Sequence, residues 1–362
     1  MHCRQYLRLN HDRVKRIYIY IIVFLNILLS VQSFGQIGGR GVYDFVDATV
    51  SARVAALGGS MVPIKDNDLQ LALFNPSLIS AEMNHKLSLS YVDYFTDINF
   101  ASIQYARSFE KIGNFAASLQ YNHYGTFDYT DETGQITGEF SASEYAMIVG
   151  WGRQLDSNFS IGANAKIIGT QYESYSSFGL AVDVAGSYVT SSGWLMSLTA
   201  RNIGTELKTY LPSENNSLPF SMQFGVSKRL DHVPVRFMLL YDHIQKWDLT
   251  YPSQNGNADT DPITGEPTTQ NGFEKFGDQL MRHIIIGSEL YIGKNLTLRG
   301  GYNYKRRQEL QIPDKAGMVG FSWGFGVRVS KFSINYARST YHVIGSPNYL
   351  TININLGEFS KK

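Results

Sequence analysis

From Val319 to Val329 every second residue is large and apolar (Val319, Phe321, Trp323, Phe325, Val327, Val329), and those between are small or polar (Gly320, Ser322, Gly324, Gly326, Arg328). Successive side chains of a strand point to opposite faces, so this segment presents one wide apolar ribbon that must meet a protein core or lipid. The alternation recurs in Phe115, Ala117, Leu119 and Tyr121, and in Leu350, Ile352, Ile354 and Leu356 against Thr351, Asn353 and Asn355. From His85 onward the chain reads as about fourteen such segments parted by turn-rich breaks.

A soluble sandwich would alternate too, but three features favour lipid. The segments are longer than the five or six residues usual in globular sheets. The face opposite the apolar one carries Gly, Ser and Asn (Asn353 and Asn355 among them) with isolated charges at Asp183, Arg299 and Arg328. The breaks after even-numbered strands are short (Asp156–Ser157, Asp231–His232, Gly293–Asn295), whereas those after strands 3, 7, 9 and 11 are long and polar. Short turns on one side and long loops on the other are the habit of outer-membrane barrels. The expected fold is therefore all-β: a transmembrane antiparallel β-barrel over 85–359. Both termini would be periplasmic and the long loops extracellular, with Val319, Phe321, Trp323, Phe325, Val327, Leu350, Ile352, Ile354 and Leu356 against outer-membrane lipid.

Residues 1–35 read as a secretory signal peptide, with a basic stretch (Arg4, Arg8, Arg13, Lys15, Arg16) ahead of an apolar run from Ile17 to Leu29. That run is shorter than a spanning helix needs. The only cysteine, Cys3, falls inside residues 1–35, so the mature chain would have no thiol for a disulfide or a thiolate metal site. Removing the segment takes away five of the 32 bases and one of the 31 acids, and a slightly acidic remainder argues against nucleic acid as a partner.

Residues 36–84 lack barrel alternation. Ser51 to Gly59 reads as a short helix closed by glycine, and Pro76 breaks the apolar run that ends at Phe74. A barrel of about fourteen strands has room for such a segment as a lumenal plug. Within it, Gly38-Gly39-Arg40-Gly41-Val42-Tyr43-Asp44-Phe45, then Ser51-Ala52-Arg53 with Ala56-Leu57-Gly58-Gly59, then Asp66-Asn67-Asp68 and Asn75-Pro76, resemble the N-terminal signature of the PorV/PorQ group, and Tyr-Asp-Phe ahead of Ser-Ala-Arg is closest to its PorQ branch. These are FadL-like outer-membrane barrels of the Bacteroidota type IX secretion system. One departure is Ser77, where the FadL-like pattern has Ala after Asn-Pro. The resemblance implies a plug motif at Arg53, Gly58, Gly59, Asn75 and Pro76. It also implies surface partners PorZ, PorU and PorV in a complex that processes secreted cargo and attaches it to the cell surface.

Catalytic chemistry finds little support. Gly320-Phe321-Ser322-Trp323-Gly324 matches the G-x-S-x-G elbow, but that motif works only on a strand-to-helix turn and here it lies in a strand pattern. The mature histidines (His85, His123, His232, His243, His283, His342) show no metal-ligand spacing. Asp259, Asp261 and Glu266 in the polar loop from Asp248 to Asp278 could ligate calcium, although the spacing matches no EF-hand, and a solvated loop available to partners is the plainer reading. No enzyme, cofactor or metal is expected. The leading function is an anchor for a surface-attachment complex. The alternative is a FadL-like transporter in which an apolar ligand enters from outside, meets the plug and leaves through the wall.

Overall fold

The computed structural model describes residues 41–211, 216–250, 272–311, 317–342 and 345–359. The signal segment and Asp259, Asp261 and Glu266 lie outside that set. Fourteen antiparallel strands run from β1 (Lys86–Asp93) to β14 (Asn348–Asn355), each paired with its sequence neighbours. The barrel closes where β1 meets β14, in register from Lys86 opposite Asn355 to Asp93 opposite Asn348. Closure leaves the barrel wall no open first or last strand, which is what a sheet must achieve to sit in lipid. The strands β3 (Gly113–Thr130) and β4 (Ile136–Gln154) are the longest, at 18 and 19 residues, and extend past their neighbours on the long-loop side.

Alternation governs the wall. Ile103, Leu119, Met147, Leu198 and Trp323 face outward and are exposed, while their neighbours Gln104, Gln120, Ser197 and Ser322 are buried inside. A polar inner face of the wall beneath an apolar outer face inverts the arrangement of a water-soluble sheet and suits lipid. Phe321 and Leu350 are likewise exposed outward, and Phe325, Val327, Ile352 and Ile354 are half-buried at the same parity.

Two residues of the apolar ribbons lie outside the strands expected to carry them, Val319 buried and Leu356 still exposed. Val319 is only 1% exposed and lies in the turn before β12 (Phe321–Val329), not on its outer face. Gly320, at φ +89°, puts a left-handed bend between them, so the side-chain parity of the strand does not extend back to Val319. Leu356 follows the end of β14 and opens a 3-10 turn, its N–H bonded to the His85 carbonyl at 2.9 Å. Two expected strand ends are also helical: α2 (Gly272–Arg282) precedes β10 (Ile284–Ile292), and α3 (Tyr304–Leu310) follows β11 (Leu296–Asn303).

The segment from 41 to 84 fills the barrel. Its helix α1 (Ala52–Ala56) is capped by Ser51, whose hydroxyl accepts the Val54 N–H, and ended by Gly58 and Gly59 at φ +108° and +94°. Ala52, Val54, Ala55, Ala56 and Leu57 are wholly buried, and with Phe45, Met61, Ile64 and Leu71 they belong to the main apolar core. The wall accommodates them with inward glycines: a Cβ on Gly301 would stand 2.2 Å from the Leu57 carbonyl carbon, and one on Gly162 2.3 Å from that of Pro76.

Candidate functional site: the plugged lumen

The plug is moored at two places. At the first, Arg53 of α1 reaches across the lumen to β10. Its Nε and Nη2 donate to the two carboxylate oxygens of Glu289 at 2.7 and 2.9 Å. The same guanidinium donates to Asp66 at 2.6 and 3.0 Å and to Asp68 at 3.2 Å. Two further wall cations close the cluster: Arg236 of β9 (Val235–Tyr241) donates to Glu289 and Asp66, and Arg299 of β11 donates to Glu289 at 2.9 Å and to Asn335 at 2.8 Å. Three guanidinium groups thus face three carboxylates, and bidentate geometry with every charge partnered offsets the cost of removing them from water. Burial alone would raise the Asp66 carboxyl, but the charge and hydrogen bond of Arg53 and the charge of Arg236 together outweigh it and hold the group below its usual range.

The second mooring carries no charge. The Asn75 amide donates to the Val62 carbonyl at 3.0 Å and to Ser187 of β6 (Tyr175–Val189) at 3.2 Å. Its side-chain oxygen accepts the N–H and hydroxyl of Ser77. Ser77, the departure from the family pattern, adds a link of its own, a 2.6 Å hydroxyl contact with Ser187. Pro76 lies against Gly152 and Gly162, which leave it room.

The remaining expected site residues scatter. Asp183 is buried within the wall, paired to Lys166 at 2.9 Å and accepting from Asn164 and the Asn202 N–H. Asn353 donates to Asp68 at 3.3 Å, and Asn355 donates to Glu358 at 2.6 Å near the short-turn end. Arg328 lines a polar cavity of about 640 Å³ there, with Lys86, Asp66, Arg299 and Asn353. Asp248 stands at the base of the long loop, held to about pKa 2 by hydrogen bonds from Thr250 and Gln279, which tie it to α2. Ser322 points into the barrel and accepts from Arg306 at 3.2 Å, and its strand is entered from a turn and followed by no helix, so the decoy elbow has none of the geometry it needs.

On the long-loop side of the plug lies a smaller cavity of about 330 Å³ that the sequence did not announce. Its walls include Tyr43, Phe45, Tyr124, Tyr172, Tyr210 and Glu144. They come from the plug, from β3 and β4, from β5 (Phe159–Tyr172) and from the loop beyond β7 (Trp194–Lys208). The hydroxyls of Tyr124 and Tyr172 donate to the two oxygens of Glu144. The Tyr172 and Tyr210 rings stack at 5.5 Å, and Tyr124 meets Tyr172 edge-on at 6.4 Å. Glu289 and Arg236 were also missed as site residues, although an acid at an inward-parity position of an otherwise apolar strand was a signal open to reading.

No family model matches the chain and no curated protein matches its sequence. Solved structures do resemble it in shape. The toluene transporter TodX of Pseudomonas putida aligns with a TM-score of 0.50 at 13% identity, over 84% of this chain and 96% of the transporter. A FadL homologue of Pseudomonas aeruginosa aligns at 0.47 and 11% identity, over 84% and 98%. At such identities the likeness speaks for the FadL-like barrel fold.

Proposed function

We propose that the chain is a FadL-like outer-membrane barrel that works through its surface, as a membrane anchor for a cell-surface attachment complex of the type IX secretion system. The observation that carries this reading is the filled lumen. A plug tied to the wall by Arg53 and Asn75, with its helix wholly buried, leaves a rigid cylinder whose accessible parts are its loops and rims. The moorings are made by the residues on which the sequence resembles the PorV/PorQ group, and an anchor needs a stable barrel and no reacting groups. By that resemblance the partners are PorZ, PorU and PorV, engaged from the long-loop side. Deleting 251–271 and shortening the loop after β7 should abolish co-purification of surface proteins from outer membranes in mild detergent. Unchanged recovery of those proteins would refute the anchor.

A second reading is favoured by the fold comparison and by the aromatic cavity: a transporter of a hydrophobic ligand, as the name of the toluene transporter suggests for that protein. It requires the plug to yield. Mass spectrometry of protein purified without added lipid separates the two, because a stoichiometric apolar molecule supports transport and its absence alongside retained partners supports the anchor.

A further inference from the structure

We infer that the cavity above the plug is a binding site for a small organic cation, best met by a quaternary ammonium group. Three observations converge there. First, the cavity is lined by aromatic side chains: Tyr43 and Phe45 come from the plug, and Tyr124, Tyr172 and Tyr210 from the barrel. The negative face of an aromatic ring attracts a cation without needing a hydrogen bond, and rings gathered around one space are the general solution for alkylated ammonium ions. Second, among the described residues the acids of the cavity have no matching base. Glu144 is 4% exposed, Asp44 lines the same space, and among the described residues neither forms an ion pair, whereas Arg53, Lys166, Arg201 and Arg236 are all matched to acids elsewhere. Third, both oxygens of Glu144 already receive phenolic hydrogens from Tyr124 and Tyr172. Those two bonds fix the orientation of the carboxylate and meet its hydrogen-bonding needs. What it lacks is a diffuse positive charge, and a quaternary ammonium supplies that without demanding acceptors of its own.

The size agrees. About 330 Å³ is at the small end of small-molecule pockets, enough for an alkylammonium headgroup bearing one ring or a short chain. An uncharged aromatic hydrocarbon would fill the space but leave the buried Glu144 without a counter-charge, so the site should discriminate by charge at equal shape. This holds whether the barrel is an anchor or a transporter.

The test is calorimetric titration of the full-length protein in a maltoside detergent, which carries no ammonium group of its own. The probes are phenyltrimethylammonium and its neutral isostere tert-butylbenzene. Saturable one-to-one binding of the cation, with the isostere at least tenfold weaker, is the expected result. Glu144→Gln should weaken the cation by about tenfold or more while leaving the isostere unchanged. Should that variant fail to insert, judged by its heat-dependent gel mobility, Tyr210→Leu keeps the carboxylate and removes one ring face, and it too should weaken the cation. Equal binding of the two probes, no saturable binding of the cation, or full affinity in a folded Glu144→Gln or Tyr210→Leu variant would overturn the assignment.

Discussion

The two moorings of the plug hold one segment by opposite means. Around Arg53, three guanidinium groups and three carboxylates converge from α1, the plug loop and strands β9 to β11. Around Asn75 the contacts are an amide, two serines and a proline backbone pressed on wall glycines. A charged mooring tolerates small displacements, since electrostatic attraction reaches beyond contact, but it is costly to leave half-made. A neutral mooring is cheap to edit chemically and intolerant of added volume.

The largest effect should follow from breaking the charged side. Arg53→Leu strands Asp66 and Asp68 without their main partner, and a loss of about 3–5 kcal/mol is expected. The readout is the temperature at which the folded barrel loses its fast gel mobility; a change below 1 kcal/mol would mean that Arg236 and Arg299 already suffice. The wall supplies the next case. Trp323→Arg places a charge on the outward face and should cost roughly 2–4 kcal/mol at mid-membrane, or block insertion, in a vesicle folding assay. Normal folding would argue that this face never meets lipid.

On the neutral side, Gly162→Val drives side-chain atoms into Pro76 and should cost about 1–3 kcal/mol, with the Arg53 cluster left intact. Protease nicking of the plug near Pro76 but not near Arg53 is the expected signature. Acidification should distinguish the moorings without mutation. Asp66 is held below its usual pKa in the folded protein, so its contribution is complete above the unfolded value of 3.8 and is lost as the pH falls through the folded one. The charged side should loosen below about pH 4, as read by hydrogen exchange around α1, with exchange around Asn75 unchanged. The smallest effect is Ser77→Ala, which removes the bridge to Ser187, for about 1 kcal/mol.

Strand number and parity were legible in the sequence because a barrel wall imposes one rule, period two, on every segment. The rule fails where backbone geometry resets it. Gly320 bends the chain ahead of β12 and buries Val319, and a 3-10 turn takes Leu356 out of β14. The helices α2 and α3 were missed because short amphipathic turns beside a strand carry too few periods to separate from it. The plug helix was legible from its Ser cap and glycine stop. Its role was not, because Arg53 becomes a mooring only when a Glu 236 residues later lies opposite. The aromatic cavity draws its residues from four elements and the plug, with no local spacing to betray it.

The central claim is that the plug keeps the lumen shut, and conductance across a planar bilayer tests it most directly. The wild-type protein should show no steady open level, and Arg53→Leu should show frequent openings of a size suited to an emptied fourteen-strand barrel. A wild-type protein that conducts continuously, at the level of the Arg53→Leu variant, would contradict the account.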